Sequence, residues 1–168
     1  HLRDRRRAVP LLVPRGAPNL VCTLFVAEAL LDLHAWRADN RYCDMAISTA
    51  RYIVEKLYWR RGDSLVGFSY PTPHFYSQVH NTNLLAAGFL CRVYDLTGDR
   101  YFLRPALNVA HFSASKQNRN GSWKYGEGSN QAWIDNFHTG YNLLGLDAII
   151  RFAGQEKFKS TLQNGLQY

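Results

Sequence analysis

NLLAAGFLCRVYDLTGDRYF, residues 83–102, decides the architecture of this 168-residue chain. It reads as an apolar helix, a short polar turn at Thr97-Gly98-Asp99 and the start of a second helix. The pattern recurs in TLFVAEALLDLHAWRADNRY, residues 23–42, and in GYNLLGLDAIIRFAGQEKFK, residues 140–159, at offsets of 60 and 57 residues. The corresponding turns are Arg37–Asn40 and Gly154-Gln155. Self-similarity at a fixed period marks a repeat architecture. The expectation is an all-α protein of three helical hairpins, spanning about residues 19–60, 79–117 and 135–168 within a single domain of residues 1–168.

The two helices of each hairpin differ in kind. The first is apolar nearly all round: Leu24, Phe25, Val26, Ala27, Ala29, Leu30, Leu31 and Leu33 leave little polar surface, as in a helix buried on every side. The second is amphipathic, with Ala46, Ala50, Ile53 and Leu57 at helical spacing and Asp44, Ser48, Arg51 and Glu55 on the other face. Inner helices ringed by outer ones satisfy both patterns. Gly88 and Gly145 occupy the same repeat position inside inner helices, where Gly costs about 1 kcal/mol relative to Ala. Close approach of two helices would explain both.

Long irregular loops, Arg61–Val79 and Gln117–Ile134, precede the second and third inner helices, and residues 1–18 hold the equivalent place before the first. Loops longer than about 12–15 residues in a compact domain are usually functional. All three are expected at the end of the bundle where the inner helices begin, which makes that end the functional face. Its loops carry aromatics, among them Phe68, Tyr70, His74, Phe75, Tyr76, Trp123, Tyr125 and Trp133.

The third loop runs into Asp135-Asn136-Phe137-His138-Thr139, which opens the last inner helix. Asp135 and Asn136 are suited to cap the first helical turn. Asp135 and His138 are three apart and His138 and Asn142 four apart, so a carboxylate, an imidazole and an amide share one face. Two readings fit Asp135: a helix cap that titrates low, or a general acid whose pKa is raised by burial or a neighbouring carboxylate. His138 is equally a proton shuttle, a ligand for sugar hydroxyls or a buried structural histidine. Glu127, between glycines, is either a solvated loop residue or a second catalytic carboxyl paired with Asp135, as glycoside hydrolysis requires. His80, Asn81 and Asn83 open the second inner helix, with Asn81 aligned to His138. The matching positions of the first unit are Leu20 and Val21, so the polar set is not demanded by the repeat. Tyr70, Tyr76, Trp123, Tyr125 and Trp133 offer rings that stack on sugars or anchor the loops.

Charge and cysteines narrow the function classes. Of the net +7, residues 1–16 supply +4 through Arg3, Arg5, Arg6, Arg7 and Arg15 against Asp4, so the basicity is mainly a tail and no nucleic-acid partner is expected. Cys22, Cys43 and Cys91 lack metal spacing and read as reduced core thiols of a cytoplasmic protein. No apolar run is long enough for a membrane span and no export signal is seen. With no P-loop, GxGxxG, nucleophile elbow or metal spacing, no cofactor or metal is expected. The chain starts at His1 and stops within a helix-like stretch, and reads as part of a longer polypeptide.

The succession VPRGAPN (Val13–Asn19), VHNTNLLAA (Val79–Ala87), GSWKYGEG (Gly121–Gly128) and WIDNFHTGYNL (Trp133–Leu143) resembles an uncharacterised bacterial family associated with polysaccharide biosynthesis. The resemblance covers most of the chain. It implies an α/α toroid akin to six-hairpin glycosidases and terpene cyclases, of which three hairpins are about half. Gln117-x-x-x-Gly121-x-Trp123 is also similar to the structural QW repeat of squalene and oxidosqualene cyclases, which ties outer helices together. The acidic DxDD cluster that protonates substrate in those cyclases has no counterpart here.

The reading that follows is a carbohydrate-active domain linked to bacterial polysaccharide biosynthesis or processing. Asp135, His138 and Glu127 are its candidate acid/base residues, in a glycoside hydrolase, lyase or epimerase. His80, Asn81, Asn83, Tyr70, Tyr76, Trp123, Tyr125, Trp133, Asn136 and Asn142 are the candidate substrate ligands. The expected partners are an oligo- or polysaccharide and proteins of a polysaccharide-assembly system. The alternatives are a non-catalytic helical-repeat module that binds glycan or a partner protein, and, more weakly, an isoprenoid-binding toroid.

Overall fold

A computed structural model describes residues 13–62 and 64–168. The basic run from Arg3 to Arg7 and most of the first expected loop lie outside the described residues. Six helices form three consecutive hairpins: α1 (Leu20–Arg37) with α2 (Asn40–Tyr52), α3 (His80–Thr97) with α4 (Arg100–Ala114), and α5 (Asn136–Ala153) with α6 (Lys159–Leu166). The turns fall where the repeat puts them. Ala38, Gly98 and Gly154 take left-handed backbone and return an N–H to the last helical turn, while Asp39 and Asp99 cap the helices that follow.

Helix α3 is the centre of the arrangement. It packs on α1, α4 and α5, and twelve of its residues, from His80 to Val93, are buried. The tightest contact is with α5. A Cβ built on Gly88 would stand 2.9 Å from Ala148 Cβ and 3.1 Å from Gly145 O, and one built on Gly145 would overlap the Leu84 carbonyl. The two glycines are therefore in backbone-to-backbone contact, the close approach their shared repeat position implies. Arg92 ties all three inner helices together: it bonds Glu28 at 2.5 Å and Asp32 at 2.6 Å on α1, and lies over the Phe152 ring of α5.

Three expectations need correction. Helix α1 is not buried on every side: Leu20, Leu24, Ala27 and Leu31 are, but Phe25 is 51%, Val26 62% and Trp36 73% exposed, because among the described residues only α2 and α3 pack extensively against it. The stretch entering the second loop is not irregular. After α2 the backbone loosens into a π-turn at Ile53–Leu57, and β1 (Tyr58–Arg61) pairs antiparallel with β2 (Leu65–Phe68). The aromatic and β-branched residues Tyr58, Trp59, Val66 and Phe68 favour a strand over a further helical turn. Finally, Cys91 is buried in the core, whereas Cys22 is exposed and Cys43 half-buried. No helix among the described residues is long and apolar enough to cross a membrane.

The inner-helix contact gives a paired prediction. Gly145→Ala forces a Cβ into the Leu84 backbone and should destabilise the fold by about 1–3 kcal/mol, as over-packing does. Gly140→Ala on the same helix meets nothing within 4 Å and should be neutral or stabilising by up to about 1 kcal/mol. Denaturant unfolding of both variants checks the contrast.

Candidate functional site

The third loop docks on the start of α3, and that docking builds the site. Val79 and Gly126 form an isolated antiparallel bridge, His80 N–H donates to Tyr125 O at 3.1 Å and Glu127 N–H to Gln78 O at 3.0 Å. Tyr125 N–H donates to Trp133 O at 2.8 Å, which closes the loop on itself. Below it, Gln117 Nε2 donates to Gly121 O and Thr161 O, both at 2.9 Å, and Gly121 lies against the Asn164 carbonyl with φ 88°. The QW-like motif thus joins the end of α4 to α6. Trp123 is 1% exposed and donates Nε1–H to Ser113 O at 2.9 Å, so its ring anchors the loop and does not face solvent.

Two histidine–carboxylate pairs result. In the buried pair, His80 is 1% exposed, with Nε2 3.1 Å from Glu127 Oε1 and Nδ1 3.4 Å from Ser113 Oγ. Asn83 Nδ2 donates to Ser113 Oγ at 3.2 Å, while Asn83 Oδ1 accepts Phe68 N–H at 3.1 Å. A neutral ring with its proton on Nε2 satisfies the network: Asn83 donates to Ser113, Ser113 to Nδ1, and Nε2–H to Glu127. Burial holds the His80 pKa below its usual value, and the Glu127 bond only partly offsets this. Burial would raise Glu127, but the His80 bond and Lys116, whose Nζ is 3.6 Å from Oε2, outweigh it and lower its pKa. With His80 neutral, the lowering rests on its N–H donation and on Lys116, the charged partner.

In the open pair, Asp135 caps α5. Its Oδ1 accepts His138 N–H at 2.7 Å, and His138 Nδ1 lies 2.7 Å from Oδ2. Burial works against ionisation of Asp135, yet the His138 amide and ring and a bond from Trp133 hold its pKa below the ordinary carboxylate value. Tyr125 stacks on Trp133 at 4.3 Å and meets His138 edge-on at 4.7 Å; Phe137 meets His138 edge-on at 5.2 Å. Burial, the Tyr70 hydroxyl and the nearby Asp135 all push the Tyr125 phenol upward. Trp133 and Phe137 are 47% and 65% exposed.

The structure therefore brings Tyr70, Tyr125, Trp133, Asp135 and His138 together at the start of α5, with His80, Asn83 and Glu127 beside the start of α3. Glu127 and Asp135 each bond a histidine of their own, His80 and His138. Tyr76 instead packs edge-on against Trp59, with Arg61 over its ring. Asn136 is exposed at the first turn of α5. Asn81 and Asn142 are buried, and the Oδ1 atom of each lacks a hydrogen-bond partner among the described residues. Phe137, Ser113 and Lys116 were not singled out from sequence. Phe137 lies inside the polar cluster and was open to notice, whereas nothing in the outer-helix pattern marks Ser113 or Lys116. Among the described residues no three His, Cys, Asp or Glu side chains gather as a metal site.

No family model matches the sequence, and no curated protein matches it. Solved structures do. Cellobiose 2-epimerase from Spirochaeta thermophila superposes with a TM-score of 0.73 at 15% identity, covering 91% of this chain and 43% of that one. An α-mannanase of glycoside hydrolase family 76 from Bacteroides thetaiotaomicron gives 0.72 at 12%, covering 90% and 44%. Unsaturated glucuronyl hydrolase from Bacillus sp. GL1 gives 0.65 at 16%, covering 92% and 48%. The fold is the α/α toroid of the six-hairpin glycosidases. The chain spans less than half the length of these toroids, and at such identities the likeness establishes fold alone.

The buried pair carries a pH signature. His80 and His111, the latter lowered by burial and Lys157, have folded pKa values below 6.5, so the unfolded chain binds more protons as pH falls. Stability should be present above about pH 6.5, the unfolded value, and decline as pH falls below it. Urea unfolding from about pH 7 to 5 should show the slope, reduced in a His80→Gln variant.

Proposed function

We propose that this chain is a carbohydrate-processing toroid segment that holds a sugar at the mouth formed by the α3 and α5 N-termini and acts on it by acid/base chemistry centred on Asp135 and His138. The observation that carries the reading is the stacked Tyr125–Trp133 wall standing directly against the Asp135–His138 pair, an apolar ring face beside groups able to bond hydroxyls and move protons. The glycan-acting enzymes that share the fold support the substrate class. Residues 1–168 are taken as one domain whose three hairpins form part of a six-hairpin ring in a longer polypeptide, serving bacterial polysaccharide biosynthesis or processing alongside other proteins of such a system.

Glu127 supports the reading indirectly, holding the loop through His80 and Lys116. The isoprenoid alternative fits less well, since Arg92, Glu28 and Asp32 place ionic groups between the inner helices. A binding module without turnover keeps one specific support: Asp135 is engaged as the cap of α5.

A glycan-array screen with variants separates the readings. Trp133→Ala should weaken binding about tenfold or more, the scale of one lost ring contact. Asp135→Asn preserves the cap, because Asn caps as well as Asp. It should retain binding and abolish turnover of the bound glycan. Turnover that survives in Asp135→Asn points to the binding-independent, structural role of Asp135, and a folded wild-type chain that binds no glycan counts against the carbohydrate reading.

A further inference from the structure

The two histidine–carboxylate pairs are wired in opposite senses. At His80 both ring nitrogens are engaged, Nδ1 by Ser113 and Nε2 by Glu127, and the ring is sealed from solvent. At His138 the Asp135 carboxylate takes Nδ1, at 3.0 and 2.7 Å, and Nε2 has no hydrogen-bond partner among the described residues. An ionised carboxylate only accepts hydrogen bonds, so His138 carries its proton on Nδ1 and presents a lone pair at Nε2. The side chain is 27% exposed, set edge-on to Tyr125 and Phe137. A carboxylate-oriented imidazole with its far nitrogen open is arranged as a general base.

Hydrolysis would use the site differently. It requires a protonated carboxyl facing a carboxylate across the scissile bond. Asp135 is a helix cap bonded to His138, and Glu127 is held between His80 at 3.1 Å and Lys116 at 3.6 Å. In these contacts each carboxylate acts as a hydrogen-bond acceptor and not as a proton donor.

We propose that His138, through Nε2, removes a proton from a carbon of the bound sugar, and that Asp135 is the positioning residue that fixes its tautomer. This rests on the carbohydrate reading above and narrows its chemistry. The substrate class is a sugar whose C–H lies beside a carbonyl or carboxylate, meaning an open-chain reducing aldose or a hexuronate. The C–H electron pair moves toward the adjoining carbonyl carbon, giving an enolate with its charge on oxygen. His138 becomes an imidazolium stabilised by Asp135. Return of the Nε2 proton to that carbon restores both groups: on the face it left it regenerates the substrate, and after the planar enolate turns its other face to Nε2 it inverts the centre. Phe137 and Tyr125 flank the imidazole and confine the sugar over it.

The test uses the 168-residue chain in D2O with cellobiose and, separately, with a glucuronic-acid-containing disaccharide, binding being measured on the same samples by saturation-transfer NMR. The expected result is deuterium at one carbon beside the carbonyl or carboxylate of a bound sugar, reduced more than 100-fold in His138→Ala while binding persists. Binding without exchange, or release of monosaccharide without deuterium on carbon, overturns the proposal and leaves the carbohydrate reading standing. Absence of binding to either sugar overturns that reading, and this proposal with it. Nitrogen-15 NMR of the substrate-free chain tests the positioning role. His138 should hold its proton on Nδ1 in the wild type and become a tautomer mixture in Asp135→Leu, whereas an Nε2-protonated wild-type ring overturns the assignment.

Discussion

The backbone contact between α3 and α5 at Gly88 and Gly145 is the constraint on which the remaining structure depends. Two helices that touch through glycines set the spacing of their N-termini, and those N-termini carry His80, Asn81 and Asn83 on one side and Asp135, His138 and Asn142 on the other. The same contact leaves the 121–134 loop a fixed path between the two starts, so that it pairs with Val79 on its way to α5. Side-chain complementarity then follows. Gly in a helix interior is costly, and here the cost is offset by packing that a Cβ would prevent.

Above that contact, polar groups are ordered by proton direction. The chain from Asn83 through Ser113 and His80 to Glu127 runs one way and uses every donor it has. Such a network rigidifies the loop that presents Tyr125 and Trp133, because breaking any link strands a buried donor or acceptor. The Asp135–His138 pair sits on that rigid support and keeps one nitrogen uncommitted. The two histidine–carboxylate pairs thus differ in burial: the His80 ring is sealed, whereas the His138 ring is partly exposed.

The inner helices differ in how fully they are covered. α3 is largely buried from His80 to Val93, whereas α1 exposes Phe25, Val26 and Trp36 and α5 exposes Phe137 and Leu144. Phe25 and Tyr141 meet at 5.9 Å, so α1 and α5 reach toward each other across α3, and Arg92 joins the same three helices through Glu28 and Asp32 on α1 and the Phe152 ring on α5. The toroids of similar fold are more than twice as long as the part of them this chain matches.

Much of this was legible in the residues. The hairpin repeat, the turns at Thr97-Gly98-Asp99 and Gly154-Gln155, the two inner-helix glycines and the Asp135 cap with His138 one turn on are local or periodic features, and a helix converts sequence spacing directly into geometry. The β1–β2 hairpin was missed because a few aromatic and β-branched residues compete weakly with the helical pattern that precedes them. The partners of Glu127 were beyond sequence altogether: His80 lies 47 residues away at the start of α3, and Lys116 11 residues away in the turn after α4. Exposure behaved the same way, since the apolar run of α1 specified a buried helix while only its neighbours decide which faces are covered. The sequence by itself determined what repeats along the chain and what one helical turn brings together. The tertiary structure alone decided which carboxylate meets which histidine and which ring reaches solvent, because those choices depend on contacts between segments that no local spacing encodes.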